Sequence, residues 1–278
     1  MGLARLYALT QDGTEMHLNF NFTAGQILWT LNFAAQLVLL VVLLGRDRMR
    51  RYPCFTAGIG LMALRLLIEE LLAGRMAKLP FEELVLALAD VSVFVGLLVV
   101  VEVARRAFAG ASRNLWIVNT VGLMLVACGV LKVLGPWPAV KDLALDTLLG
   151  KLKFMQLVAV KGETLVAMLT LGVGVLVMFF GRRFKAGWRS HTQQIVIGLS
   201  TVAIALLATQ TAVQAIYRLA RPETQADVQR LVGLIGKLMN GDRAVYIAVL
   251  IWWIIWLWLD EPGTQAAETA SEPEVGGE

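Results

Sequence analysis

Seven apolar runs set the terms for this chain: residues 24–45, 55–74, 84–104, 115–134, 157–181, 194–217 and 244–259. A helix of about 20 apolar residues spans the hydrocarbon core of a bilayer. The last run is shorter, but it is dense in Ile, Leu and Trp. In lipid every backbone group has to be satisfied within the spanning structure, which favours helices. None of the runs shows the alternating ten-residue pattern of a membrane β-barrel. The expected fold is all-α, an integral membrane bundle of seven transmembrane helices over residues 24–259. An extracytoplasmic segment, 1–23, precedes it, and a disordered acidic tail, 260–278, follows.

Composition agrees with that reading. Hydrophobic residues make up 58% of the chain and charged residues 17%, against about a quarter in an ordinary soluble domain. A disordered protein, a disulfide scaffold and a typical soluble enzyme are excluded on those grounds. Cys54 falls at a basic loop edge and Cys128 inside an apolar run, so no structural disulfide is expected. The N-terminus lacks a continuous apolar signal core, and Leu6 breaks the myristoylation pattern after Gly2.

Charge gives the orientation. The formal net charge is +4, but the tail from Asp260 to Glu278 carries only acids, so the rest of the chain is more basic. Arg46, Arg48, Arg50 and Arg51 follow the first run. Arg105, Arg106 and Arg113 follow the third, and Arg182, Arg183, Lys185 and Arg189 the fifth. The opposite side holds about as many bases, but over longer segments and mixed with acids, so the density of the short loops places the N-terminus outside and the C-terminus inside a bacterial cytoplasmic (inner) membrane. The partners implied are membrane lipids, with anionic headgroups at those basic loops, and not nucleic acid. Trp252, Trp253, Trp256 and Trp258 read as an aromatic belt at the cytoplasmic interface. The positions Val228, Leu231, Val232, Ile235, Leu238 and Met239 repeat at helical spacing before Asn240-Gly241, and predict a separate amphipathic helix on the outer surface. Residues 139–155 carry a weaker version of the same signal.

Ionisable residues inside the runs cost roughly 2.5–3.5 kcal/mol each on insertion scales, yet several occur. Arg65, Glu69 and Glu70 lie on the second helix, Asp90 on the third, and Lys161 and Glu163 on the fifth. Asn32 and Gln36 on the first helix, and Gln210 and Gln214 on the sixth, fall at the same depth, with Ser92, Thr209, Thr211 and Tyr217 nearby. Their common level predicts a shared interior lining. Either it is a closed network, with Arg65 paired to Glu69 or Asp90 and Lys161 to Glu163 or Glu70, or it is an outward-facing polar cavity. Glu102 reads as an interfacial pair with Arg105 and Arg106. Gly172 and Gly174 are given a packing role.

Catalytic chemistry is not in view. His17 and His191 fall on opposite sides of the membrane and cannot share a metal or haem. No H-E-x-x-H, G-x-S-x-G, C-x-x-C or P-loop pattern occurs, and the last helix lacks a Schiff-base lysine. No catalytic residue, cofactor or metal is assigned.

The stretch RRFKAGWRSHTQQIVIG from Arg182 to Gly198, with the Trp-rich last helix and the short charged tail, resembles uncharacterised bacterial seven-helix membrane proteins. The layout is also similar to the seven-helix sensor regions of bacterial histidine kinases. That resemblance implies a signal handed to a separate partner. The sequence therefore points to a non-enzymatic binding or scaffold subunit acting through a protein partner or as a homo-oligomer. A sensor with an outward polar pocket is the second reading, and an ion- or proton-coupled transporter the third.

Overall fold

The computed structural model describes residues 23–108, 129, 147–180, 190–220 and 224–259. The described helices are α1 (Ala24–Gly45), α2 (Arg48–Arg51), α3 (Pro53–Leu72), α4 (Lys78–Ala107), α5 (Leu148–Phe180), α6 (His191–Leu219) and α7 (Gln225–Trp258). Five of them, α1, α4, α5, α6 and α7, are long and apolar enough to cross a membrane. These are the proportions of a multi-pass membrane protein. The 20-residue α3 is apolar too, but Arg65, Glu69 and Glu70 crowd its second half and set it apart. The expected fourth span but for residue 129, the basic stretch Arg182–Arg189, residues 139–146, the segment 1–22 and the acidic tail lie outside the described residues, and 148–155 are the first turns of α5.

Local signals account for the helix starts. The hydroxyl of Thr23 accepts from the Gln26 backbone N–H while the Gln26 side chain accepts from that of Thr23, a reciprocal cap on α1. Thr224 and Asp227 repeat the device on α7, and Ser190 caps α6 through the Gln193 N–H. Between α1 and α3 the chain turns sharply at Asp47, whose φ of 53° is the left-handed conformation that Asp tolerates.

The six long helices close into a ring in the order α1, α3, α4, α5, α6, α7 and back to α1, with a weaker cross-contact between α4 and α6. Glycines set several of the approaches. Gly58 faces Val95 and Val99 across α3–α4, and Gly96 faces Val166 across α4–α5. Gly174 meets Ser200 across α5–α6, and Gly198 meets the Trp253 indole across α6–α7. Gly174 thus has the packing role expected of it.

The matched residues also give the strand of travel. Val93 lies against Gly162, and Gly96 against Val166. Residue numbers rise together, so α4 and α5 are parallel. Gly45, Pro53, Ala107, Phe180, His191 and Trp258 share one end of the bundle, here the basic end, and Ala24, Leu72, Lys78, Leu148, Leu219 and Gln225 the far end. The chain between Phe108 and Thr147 therefore starts at the basic end and finishes at the far end.

The continuous core lies in the basic half, and in the far half only a few apolar side chains, such as Ala89, Leu152 and Ala159, are buried among the described residues. Leu39, Leu43, Tyr52, Ile195, Leu250 and Leu257 are completely buried in that core, joined by Phe55, Val103 and Trp253. Among the described residues α3 has no fully buried position beyond Ala63, α6 none beyond Ala203 and α7 none before Ile247. The far half is the looser, more polar part.

Two expectations are corrected. The amphipathic segment 225–239 is helical, but it is no separate element: α7 runs unbroken through Asn240-Gly241 for 34 residues. An interior glycine costs only about 1 kcal/mol, and the packing of Ile247, Leu250, Trp253 and Leu257 on the same helix outweighs that. Within this segment Val228, Leu231, Ile235 and Leu238 are half-buried while Arg230 and Lys237 are exposed. The second correction concerns Trp253, which is no belt residue. It is 1% exposed, donates its indole N–H to the Gln194 carbonyl at 3.2 Å, and meets Phe55 edge-to-face at 5.0 Å. Trp252 and Trp258 do face outward.

Candidate functional site

The polar residues of the far half occur on all six ring helices next to the core boundary. On α3 the Arg65 Nε donates to Glu69 Oε1 at 2.8 Å, a pair one helical turn apart and partly exposed. Glu163 on α5 lies within electrostatic reach of Arg65. Those two residues sit on helices separated by α4 in the ring. Next to Glu163, the Thr164 hydroxyl is shared between the Val160 carbonyl at 2.9 Å and the Gln210 amide oxygen of α6 at 3.2 Å.

On α1 Gln36 is 1% exposed and Asn32 is buried. The Gln36 amide nitrogen donates to Asn32 Oδ1 at 3.2 Å and, at 3.5 Å, to the Tyr246 hydroxyl of α7. Tyr246 and Thr164 were missed in the sequence, although Tyr246 stands one turn after Asp242 on the same face of its helix.

Asp90, Glu70 and Gln214 are not joined to these contacts. Asp90 does not pair with Arg65; its Oδ1 is buried without a hydrogen-bond partner. Arg65 is satisfied by the nearer carboxylate on its own helix, where the i, i+4 spacing fixes the geometry. Glu70 is exposed, because its neighbour Glu69 turns inward and adjacent side chains on a helix diverge by about 100°. Gln214 is likewise exposed, beyond the last buried turn of α6. Lys161 is half-buried on α5. Ser92 turns back to the Leu88 carbonyl of its own helix at 2.7 Å, and Thr211 to that of Leu207.

At the basic end the contacts are of another kind. Glu102 of α4 accepts from the Phe55 N–H at 2.9 Å, so it caps α3 besides standing near Arg105 and Arg106. The Arg106 guanidinium lies 5.0 Å from the centre of the Tyr52 ring, and the Tyr52 hydroxyl meets that of Thr192 at 2.8 Å. His191 Nε2 donates to the Leu259 carbonyl at 3.0 Å, tying the start of α6 to the end of α7. A gap of about 10 Å³ lined by Val100, Thr170, Val173 and Val196 lies in this half. It is apolar and no larger than a single water needs.

The arrangement is that of a bundle sealed at one end and polar at the other. It offers ion pairing, amide and hydroxyl hydrogen bonding and charge, without a nucleophile–base pair among the described residues. No protein-family model, curated protein or solved structure matches the chain.

Proposed function

We propose that this chain is a non-enzymatic membrane subunit of the bacterial inner membrane that works by binding a protein partner or further copies of itself. It crosses the membrane seven times, with its N-terminus outside and its C-terminus in the cytoplasm. The parallel run of α4 and α5 supports an extra crossing between them. A return over the length of the bundle is required there, and the apolar stretch 115–134 has the length for it. The basic end carries Arg46, Arg48, Arg50, Arg51, Arg105 and Arg106, which suits the cytoplasmic face and its anionic headgroups.

The observation that carries the binding reading is the division of the bundle. The basic half holds the continuous core, whereas in the far half α3, α6 and α7 have no fully buried side chain. On α7 the far half also exposes Val232, Leu234 and Met239. Such a half-finished bundle gains most by packing against another polypeptide. The test is a photoreactive side chain at Leu234 or Met239 in intact membranes. A discrete adduct of higher mass is expected there, and none from the same group at Val175 in the basic half. Monomer alone at every position would sink the proposal.

A sensor with an outward-facing polar pocket is the second reading. It is favoured by Glu163 standing within electrostatic reach of Arg65 and by the buried Gln36–Tyr246 contact. A transporter finds less support, since its path would cross the packed layer of Tyr52, Phe55, Leu250 and Trp253.

A further inference from the structure

The α1–α7 seam carries a polar ladder that the ring does not complete. Gln36 is 1% exposed, and its Oε1 has no hydrogen-bond partner. Its other amide atom is used twice, toward Asn32 Oδ1 at 3.2 Å and the Tyr246 hydroxyl at 3.5 Å. Turning the amide over does not help, because it leaves a buried N–H in place of a buried oxygen. A fully buried amide group is normally satisfied, so the orphaned oxygen leaves a position for a further ligand.

The neighbouring groups indicate which. The helices α1 and α7 are parallel here: Gln36 stands beside Tyr246, and Arg46 lies over the Trp258 ring. One turn toward the far end from Gln36 and Tyr246 are Asn32 and Asp242, which the equal rise of two helices brings to a common height. Asp242 is half-buried. Amide, phenol and carboxylate oxygens therefore line one short stretch of the seam. Arg243 follows Asp242 in sequence and acts on its charge, but it points about 100° away around the helix. On the adjacent α3, Arg65 and Glu69 neutralise each other. Oxygen ligands are what hard cations take. A single carboxylate, with no cluster of three metal-ligating side chains among the described residues, fits one positive charge and not two.

We propose that the α1–α7 seam binds a small monovalent metal cation through oxygens of Gln36, Asn32, Tyr246 and Asp242. The ion satisfies the buried Gln36 oxygen and locks the last helix to the first. The site lies wholly within this chain, so it stands or falls apart from the proposed partner.

The full-length protein in mild detergent tests it directly. Its unfolding temperature is followed while NaCl, LiCl or KCl replaces choline chloride at constant ionic strength. A saturable rise of roughly 5–10 °C is expected with at least one of the metal ions at about 100 times its Kd, with choline inert. Asp242→Asn should abolish the rise and Tyr246→Phe should shift the half-saturating concentration at least about tenfold, whereas Glu102→Gln, far from the seam, should keep it. Should the seam variants not fold, retention of the same metal ion by the unaltered protein decides: saturable, near-stoichiometric binding supports the site. Unfolding temperatures independent of the cation, a full rise in Asp242→Asn, stabilisation by acid alone, or no saturable retention would each overturn it.

Discussion

The Glu102 carboxylate of α4 accepts a hydrogen bond from the backbone N–H of Phe55 on α3, 2.9 Å away. The helix it caps has Pro53 in its first turn and no side-chain cap from Tyr52. A carboxylate at a helix N-terminus satisfies an orphan donor and complements the helix dipole. One bond thus holds α3 to α4 at the end where the bundle is best packed. Glu102→Ala should lower stability by about 1 kcal/mol, and Glu102→Gln by less, since its amide oxygen still accepts. Thermal unfolding in detergent separates the two; equal losses would show that the bond to Phe55 contributes little.

Glycine tolerance should follow the same division. A Cβ at Gly198 would run into the Trp253 indole, whereas one at Gly241 meets nothing within 4 Å. Gly198→Ala should cost about 1–3 kcal/mol through overpacking. Gly241→Ala should stabilise by a few tenths to about 1 kcal/mol through helix propensity. Unfolding midpoints that move the same way in both variants would contradict the packing described for α6 and α7.

Arg65 should couple to Glu69 and not to Asp90. In a double-mutant cycle, Arg65→Met with Glu69→Gln should depart from additivity by about 0.6 kcal/mol, the usual size of a polar contact between membrane residues. Arg65→Met with Asp90→Asn should be additive. A larger coupling to Asp90 would place the guanidinium elsewhere.

Much of the fold is legible in the sequence, because hydropathy at helical length is enforced by the bilayer itself. The described long helices coincide with six of the seven apolar runs and mostly extend beyond them, as α5 does upstream to Leu148. What hydropathy does not encode is the rotation of a helix that is apolar all round. Trp252 and Trp253 are indistinguishable in the last run, and only the glycine at position 198 on the facing helix makes room for one of them. The end of an element is also weakly encoded. Asn240-Gly241 is a good local stop signal, yet α7 continues because its core-facing residues need a straight helix.

The charge cluster was legible as a level, not as a set of bonds. Equal depth put Glu69 and Asp90 on a par as partners for Arg65, and local i, i+4 geometry decides between them. Glu102 was read from its neighbours in sequence, Arg105 and Arg106, while its bond reaches another helix. Tyr246 lay inside a run dominated by Ile, Val and Trp, and its role depends on how α1 and α7 line up.

The chain should cross the membrane an odd number of times, with the loops of densest basic charge, Arg46–Arg51 among them, on the cytoplasmic face. Single cysteines at Met49, Met76, Thr224 and Leu259, in a background lacking Cys54 and Cys128, test it with an impermeant thiol reagent applied to cells with a permeabilised outer membrane. Met76 and Thr224 belong to the far end and Met49 and Leu259 to the basic end. Labelling from outside is predicted at Met76→Cys and Thr224→Cys, with Met49→Cys and Leu259→Cys reacting only after the inner membrane is opened. Strong labelling of Met49→Cys or Leu259→Cys in cells with an intact inner membrane would reverse this topology.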